Sequence, residues 1–313
     1  MPDPTMTRPP WRLRTPGQSE NATFPAARTA SLLGPERDPL GANDWHGRKP
    51  TAHATPVVLI HGTWENAYAS WNGLSPILSA QGYRVFALNY GRTGASPGLN
   101  GTADLVQSAQ EIWDFVQRVL DVTGAEQVSL IGHSQGGAQA RYVAHRLAPA
   151  GLVDQVIGLA PANHPLTLHG LVRLAESAGA RQAATTVLDT IKMPAAEQQT
   201  NPNSPFYLAL NRGGETQPGL TYTVITTRYD QLVSSAQARL RRVPGAEVEH
   251  ITIQDICPQD LSDHVSLAYS RNVAQVILNR LDPADARPIQ CYRQWPVVGK
   301  VRLLDLPRPA EPT

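Results

Sequence analysis

Two segments of the sequence place a serine between glycines at the spacing G-x-S-x-G, which is typical of a nucleophilic serine held in a sharp turn. They are residues 94–98, GASPG, and residues 132–136, GHSQG. Because glycine and serine are common residues, such a motif also arises by chance. The sequence around each serine must therefore decide between Ser96 and Ser134.

The flanking sequence favours Ser134 as the nucleophile. A nucleophile elbow needs a strand before the turn and a helix after it, and residues 127–131 and 136–147 predict both. Ser96 is followed by Pro97, which has no backbone N–H to donate to an oxyanion. The alternative for residues 132–136 is a glycine-rich turn of a nucleotide-binding fold. That fold needs phosphate-binding glycines after the first strand, and residues 61–63 do not offer them.

Attack on an ester creates an oxyanion, which two backbone N–H groups can stabilise. We expect one N–H from Gln135 and the other from Thr63, in the loop after the apolar run at residues 57–60. His61 lies in the same loop and is a second candidate base, but we expect it to brace the loop by hydrogen bonding.

The partners of the serine are expected in the order acid, then histidine, each on a loop after a later strand. Asp230 follows a strand predicted at residues 221–226, and His264 precedes a helix predicted at residues 265–281. His264 would take the Ser134 proton while Asp230 holds the imidazole tautomer. The rivals, for which we expect packing, capping or solubility roles, are His133, His250, Asp189, Asp255, Asp260 and Asp263.

Strands and helices alternate through the middle of the chain, which predicts an α/β fold with a mostly parallel sheet and helices on both faces. Strands are predicted at residues 57–60, 84–89, 127–131, 155–159, 221–226 and 248–253. Helices are predicted at residues 74–81, 102–123, 136–147 and 265–281.

The predicted hydrolase domain covers residues 51–282, between an irregular N-terminal arm at residues 1–50 and an irregular C-terminal tail at residues 283–313. Within it, residues 163–216 interrupt the strand pattern and predict a helical cap insertion, with a helix near residues 171–191. Apolar side chains of the cap could line an acyl groove or simply pack as core. The candidate substrate-binding residues are Trp64, Leu166, Leu168, Leu171 and Leu174.

Composition excludes several classes of partner. The 27 basic and 26 acidic residues give no field that would attract nucleic acid. No apolar run is long enough for a membrane span, and residues 1–50 hold no apolar core of a secretory signal. We expect a lipid or small ester as substrate, contact with a lipid interface at most, no metal or organic cofactor, and a monomer.

Taken together, residues 41–281 resemble the secreted class 2 lipases of actinobacteria. The resemblance is carried by ordered segments: GANDW at 41–45, VVLIHGT at 57–63, VFALNYG at 85–91, GHSQGG at 132–137, APANH at 160–164, QQ at 198–199, SPF at 204–206, TRYD at 227–230 and DH at 263–264. It implies an α/β-hydrolase fold, a triacylglycerol lipase or carboxylesterase activity with the triad above, and an exported location. A cytoplasmic location is the alternative.

The resemblance and the placement of the two cysteines predict a disulfide between Cys257 and Cys291, against the alternative of two free thiols. The chain departs from its relatives at Arg84 and near residues 44–49, where they often carry cysteines. It also departs at Pro165 and Leu166, where they tend to continue with Gly-Thr.

Three functions stay open at this point. The first is a lipase or esterase acting on lipid-like esters. The second is an esterase of polymers such as cutin or polyesters, which would need an open cleft. The third is a non-catalytic binding protein on the same fold.

Overall fold

The computed structural model describes residues 8–11, 13, 23–47, 53–93, 98–167, 170 and 193–297 of the chain. At its centre is a six-stranded sheet in the order β2-β1-β3-β4-β5-β6, with every adjacent pair parallel. The strands are β1 (Val57–Ile60), β2 (Val85–Leu88), β3 (Val128–His133), β4 (Val153–Leu159), β5 (Thr221–Thr226) and β6 (Glu247–Thr252). The predicted parallel α/β sheet is therefore confirmed, with strand ends shifted by at most a few residues.

The sheet separates two layers of core. Alternate residues of β1 show this separation, because Val58 and Ile60 belong to one buried cluster while Val57 and Leu59 belong to the other. Successive side chains of a strand point to opposite faces, so a sheet covered on both faces has continuous apolar strands. All four residues of β1 are buried accordingly.

Helices cover both faces. They are α1 (Phe24–Leu33), α2 (Ala67–Trp71), α3 (Ser75–Ala80), α4 (Leu105–Thr123), α5 (Gln135–Tyr142), α6 (Pro194–Thr200), α7 (Pro205–Leu210), α8 (Ser235–Ala238), α9 (Ile253–Ile256) and α10 (Arg271–Leu281). A π-helical turn, Val143–Leu147, extends α5, and 3₁₀ turns lie at Ser266–Tyr269 and Pro283–Asp285.

The longest helix, α4, shows how the sequence sets its own bounds. The Asp104 carboxylate accepts hydrogen bonds from the backbone N–H groups of Val106 and Gln107, which caps the first turn. Gly124 ends the helix in the left-handed conformation, with a φ of 61°. Ile112, Val116 and Val119 lie on its buried side at the spacing of an amphipathic helix.

Two differences from the predicted elements have local causes. The helix predicted at residues 265–281 is broken at Ser270, whose extended backbone and hydroxyl cap the first turn of α10. The N-terminal arm, expected to be irregular, contains α1, which has a proline in its first turn and buries Phe24, Ala27 and Ser31 on one side.

After its 3₁₀ turn, the described part of the C-terminal tail, up to residue 297, forms no further helix and is fixed along α10. The side-chain amides of Asn272, Gln275 and Asn279 pair with the backbone of Tyr292, Gln290 and Arg287, respectively. In the part of the chain that the structure describes, no helix is long and apolar enough to cross a membrane.

Candidate active site

Ser134 occupies a sharp turn between β3 and α5, with φ 53° and ψ −120°. For a residue with a side chain this positive φ is strained. The neighbouring strand β4 and the loop after it hold this conformation. The Ser134 N–H donates to Leu159 O at 2.9 Å, and Ser134 O accepts from Ala162 N at 2.9 Å. Strand, strained serine and helix form the elbow that the sequence around Ser134 predicts.

Neighbouring glycines make this turn possible. A Cβ atom on Gly132 would collide with the backbone of Gly136, and one on Gly136 would collide with the carbonyl of Ile60. A side chain on Gly132 would therefore open the turn itself, and one on Gly136 would force the turn away from β1.

Asp230 and His264 lie together near the ends of β5 and β6. The His264 Nδ1 atom lies 2.8 Å from Asp230 Oδ2, and both side chains are buried. The other carboxylate oxygen, Oδ1, accepts from the N–H groups of Leu232 and Val233 at 2.8 Å each. These bonds fix the orientation of the carboxylate, and the carboxylate favours the tautomer with the proton on Nδ1 and a free Nε2.

The two loops that carry this pair are tied to each other. Thr227 Oγ1 donates to Ser262 O at 2.6 Å, and Gln254 Nε2 donates to both Thr227 Oγ1 and Asp260 O. Gln254 was not singled out from the sequence, since nothing in its local pattern indicates that it bridges two loops.

Two buried polar atoms at the site have no hydrogen-bond partner among the described residues, and both belong to the predicted triad. They are Ser134 Oγ and His264 Nε2. A proton donor and a proton acceptor at a site without substrate often pair only loosely and tighten in the substrate complex. Ser134 can therefore act as nucleophile and His264 as the group that takes its proton.

The predicted oxyanion donors lie on two converging segments. The N–H of Gln135 is the first of α5, so it has no partner within the helix. Thr63 lies in the loop after β1, just before Trp64, which has a positive φ of 59° and donates its N–H to Asn100 O at 2.8 Å. Strain at both Trp64 and Ser134 indicates that the surrounding structure imposes the geometry of these segments.

Side-chain amides brace the Thr63 loop. Thr63 Oγ1 accepts from Gln135 Nε2 at 2.9 Å and from Gln199 Nε2 at 3.0 Å, and the Tyr90 hydroxyl donates to Gln135 Oε1 at 2.9 Å. Gln199 belongs to α6, so this part of the predicted cap lies against the oxyanion loop. Its role was missed in the sequence, although the Gln-Gln pair at residues 198–199 was among the segments that carried the resemblance.

Two histidines near the nucleophile have structural partners. His61 is buried against the ring of Tyr90, its Nδ1 lies 2.8 Å from Gly62 O, and burial lowers its pKa to about 4. This arrangement agrees with the expected bracing role. Both ring nitrogens of His133 have partners other than Ser134, with Nδ1 3.4 Å from Glu65 Oε2 and Nε2 2.9 Å from His264 O.

The rival acids and the remaining histidine also have structural partners. Asp260 accepts from Ser262, Ser270 and Asn272, and Asp263 caps the turn at Ser266. Both are fully buried, which corrects the expectation of solvated loop carboxylates. Asp255 pairs with Arg228 at the surface, and His250 Nε2 accepts from Leu240 N. Asp189 lies outside the described residues.

Of the predicted substrate-binding residues, Trp64 and Leu166 are described, and both are buried in the same core cluster. Trp64 Nε1 donates to the sulfur of Met193, and Leu166 N donates to Gln199 O. Leu168, Leu171, Leu174 and the second motif serine, Ser96, lie outside the described residues.

The disulfide between Cys257 and Cys291 is confirmed. It joins the C-terminal tail to the segment after α9, seven residues before His264. The tail also meets the histidine loop directly, since Leu261 N donates to Gln294 O and Val297 N donates to Asp263 Oδ2.

Comparison with known proteins agrees with this geometry. The family model described as Lipase (class 2) matches residues 54–275, which is more than half of the chain. Over 94 residues the chain is 36% identical to a triacylglycerol lipase of Pseudarthrobacter phenanthrenivorans, covering 28% of each protein. The first curated relatives are thus matched over 25–28% of their own length.

Among solved structures, lipase B of Aspergillus fumigatus is similar with a TM-score of 0.57 and 20% identity, covering 83% of this chain and 58% of that one. A lipase-esterase related protein of Clostridium acetobutylicum is similar with a TM-score of 0.51 and 17% identity, covering 74% and 96%. These likenesses show the α/β-hydrolase fold.

Proposed function

The chain belongs to the class 2 lipase family, and from that premise we propose that it is a serine hydrolase of carboxylic esters, with triacylglycerols as its substrate class. The observation that carries the proposal is the buried pair of Asp230 and His264, whose Nε2 is free, at the same carboxyl-end edge of the parallel sheet as the strained Ser134.

In the first half of the reaction, Ser134 Oγ attacks the ester carbonyl carbon while His264 Nε2 takes the hydroxyl proton. Asp230 stabilises the imidazolium through the 2.8 Å contact with Nδ1. The carbonyl oxygen becomes an oxyanion that the N–H groups of Thr63 and Gln135 stabilise. The carbon–oxygen bond to the alcohol then breaks, the alcohol leaves with the proton from His264, and the acyl group stays on Ser134.

In the second half, water attacks the acyl carbon and gives its proton to His264. The bond to Ser134 Oγ breaks, the serine recovers the proton from His264, and the carboxylic acid leaves. No step needs a group beyond these five residues and water.

The substrate class rests on the relatives. The family model is that of a lipase, and the 36%-identical relative is a triacylglycerol lipase. The balance of 27 basic and 26 acidic residues also suits an uncharged substrate better than a polyanion.

A fluorophosphonate probe followed by peptide mass spectrometry tests the nucleophile. We expect one adduct, on Ser134, and none in Ser134→Ala. An unlabelled, folded wild type would favour a non-catalytic binding protein.

Rates on p-nitrophenyl esters of increasing chain length, emulsified triacylglycerol and a polyester film test the substrate class. We expect hydrolysis of the emulsion and of medium- and long-chain esters. Faster release from the film than from the emulsion would favour the polymer esterase.

We also infer that the protein works outside the cytoplasm. The disulfide between Cys257 and Cys291 supports this location, because disulfides persist in oxidising compartments. Fractionation of the native host with antibody detection tests it, and recovery of the protein with the cytoplasmic fraction in reduced form would contradict it.

A further inference from the structure

A second pair of buried carboxylate and histidine lies behind the nucleophile, outside the triad. Glu65 follows the oxyanion loop, and His133 is the residue before Ser134. Both are buried, with 5% and 1% of their surfaces exposed, and His133 Nδ1 lies 3.4 Å from Glu65 Oε2. The mechanism above uses neither residue.

The pair reaches the proposed base through the main chain. The other ring nitrogen of His133, Nε2, lies 2.9 Å from the backbone carbonyl oxygen of His264. The two imidazole rings are 4.7 Å apart and tilted by 45°, so His133 packs against the ring of the base while it bonds its backbone. Asp230 fixes the far side of that ring, and His133 fixes the peptide that carries it.

Charge favours this arrangement. Burial alone would lower the pKa of His133, but the carboxylate of Glu65 raises it above its usual value. Burial would likewise raise the pKa of Glu65, yet His133, with a hydrogen bond from Ser70 and a smaller effect of His61, lowers it to about 2. With both nitrogens protonated, His133 donates one N–H to Glu65 and the other to the His264 carbonyl.

The carboxylate also lies close to the nucleophile. A Cβ atom on Gly62 would lie 3.2 Å from Ser134 Cβ, 3.3 Å from Glu65 Oε2 and 3.3 Å from His133 Nδ1. Glu65, His133 and Ser134 therefore all border the small space beside Gly62. An unpaired anion there would oppose a developing oxyanion, whereas an ion pair leaves little net charge.

We propose that Glu65 and His133 are positioning residues for the catalytic base: Glu65 orients His133, and His133 holds the backbone of His264 so that its ring stays within reach of Ser134. The proposal rests on the proposed function, since it assigns these residues to the same reaction. It predicts that loss of the Glu65 charge lowers kcat by displacing His264, while KM stays unchanged.

The test is Glu65→Gln, which keeps the shape of the side chain and removes its charge. We expect kcat on p-nitrophenyl butyrate to fall about 10- to 100-fold with KM unchanged, since a misplacement of about 1 Å can cost about 100-fold. The matched control is Glu215→Gln. Glu215 is equally little exposed, at 5%, and lies 3.7 Å from His164, but its carboxylate accepts hydrogen bonds from Arg241 and does not contact His133. Its replacement should leave kcat unchanged.

A double variant with His264→Ala tests whether Glu65 acts through the catalytic base. Adding Glu65→Gln to His264→Ala should cause no further loss of kcat, because the positioned ring is already gone. If Glu65→Gln does not fold, Ser70→Ala replaces it, since it removes only the Ser70 hydrogen bond to the carboxylate. A smaller loss of kcat with unchanged KM is then expected.

Unchanged kcat in the folded variant, or an equal loss in the wild-type and His264→Ala backgrounds, would overturn the proposal. The proposed function is tested separately in the wild type. If the wild type is labelled at Ser134 and hydrolyses esters, either of these outcomes counts against the positioning role and not against the proposed function.

Discussion

Replacing both cysteines with alanine should lower the free energy of unfolding by about 3–4 kcal/mol while leaving kcat near that of the wild type. Cys257 and Cys291 are separated by 34 residues. In the chain-entropy model, opening a loop of this size raises the conformational entropy of the unfolded chain, which lowers its free energy by about 3–4 kcal/mol at 25 °C. The effect lies mainly in the unfolded state, so it does not by itself move His264.

The contacts of the tail explain why kcat should survive. Asn272, Gln275 and Asn279 each make two hydrogen bonds with the tail backbone, of 2.7 to 2.9 Å. Each such bond contributes about 0.5–1.5 kcal/mol net, so the six together are comparable with or stronger than the disulfide. The tail should therefore stay docked against α10 without its covalent link.

Guanidinium denaturation gives the free energy of unfolding, and initial rates at 25 °C give kcat. Wild type with and without reductant is the matched comparison, because it opens the bond without replacing the buried Cys257 side chain. Adding Gln275→Ala to the cysteine-free protein should then lower kcat, since the tail contacts the histidine loop through Asp263. A large fall in kcat of the cysteine-free protein well below its Tm would refute the reasoning, as would an unchanged free energy of unfolding.

Three further predictions concern the site. Ser134→Ala should abolish ester hydrolysis with an unchanged circular dichroism spectrum, and activity near wild type would remove the serine from the mechanism. Asp230→Asn and His264→Ala should each lower kcat by orders of magnitude and far from additively, as measured with the double variant, because the three residues act as a unit. The loss of stability in Glu65→Gln should be largest between about pH 4.5 and 6.5, measured by denaturation at each pH. The Glu65 contribution is lost as pH falls through its folded pKa of about 2, and the His133 contribution is lost as pH rises through its raised pKa. A difference that does not vary with pH would mean that the pair is not ionic.

Strands β1 and β2 could be predicted from the sequence because they are short, continuous apolar runs that need no long-range information. The turn at Ser134 could be predicted for the same reason, since strand, glycines and helix are adjacent in the chain. Asp230 and His264 followed from chain order and from their placement on loops after later strands, and the structure brings Asp230 Oδ2 within 2.8 Å of His264 Nδ1. Each of these predictions used residues close together in sequence or a fixed order of elements.

The pairing of Glu65 with His133 could not be predicted in this way, because the two residues are 68 positions apart. They meet because β1 and β3 are neighbours in register, with Ile60 opposite Gly132. That register places the loop after β1 beside the residues after Gly132. From the sequence alone, a glutamate just after the oxyanion loop would be predicted to lie at the surface. Its partner becomes evident only from the order and register of the strands.

The C-terminal tail shows a sequence signal that was present but was not used. Asn272, Gln275 and Asn279 recur at helical spacing on α10, where polar residues are usually taken as the solvent face, yet all three are buried. An amide side chain both donates and accepts, so it can pair with a peptide group as a neighbouring strand would. A lysine side chain only donates and an ionised glutamate only accepts, so neither can make both hydrogen bonds. A helix stripe of amides without charges, followed by an irregular tail, therefore indicates a tail that returns along the helix, and here that return carries the chain back to the loop of His264.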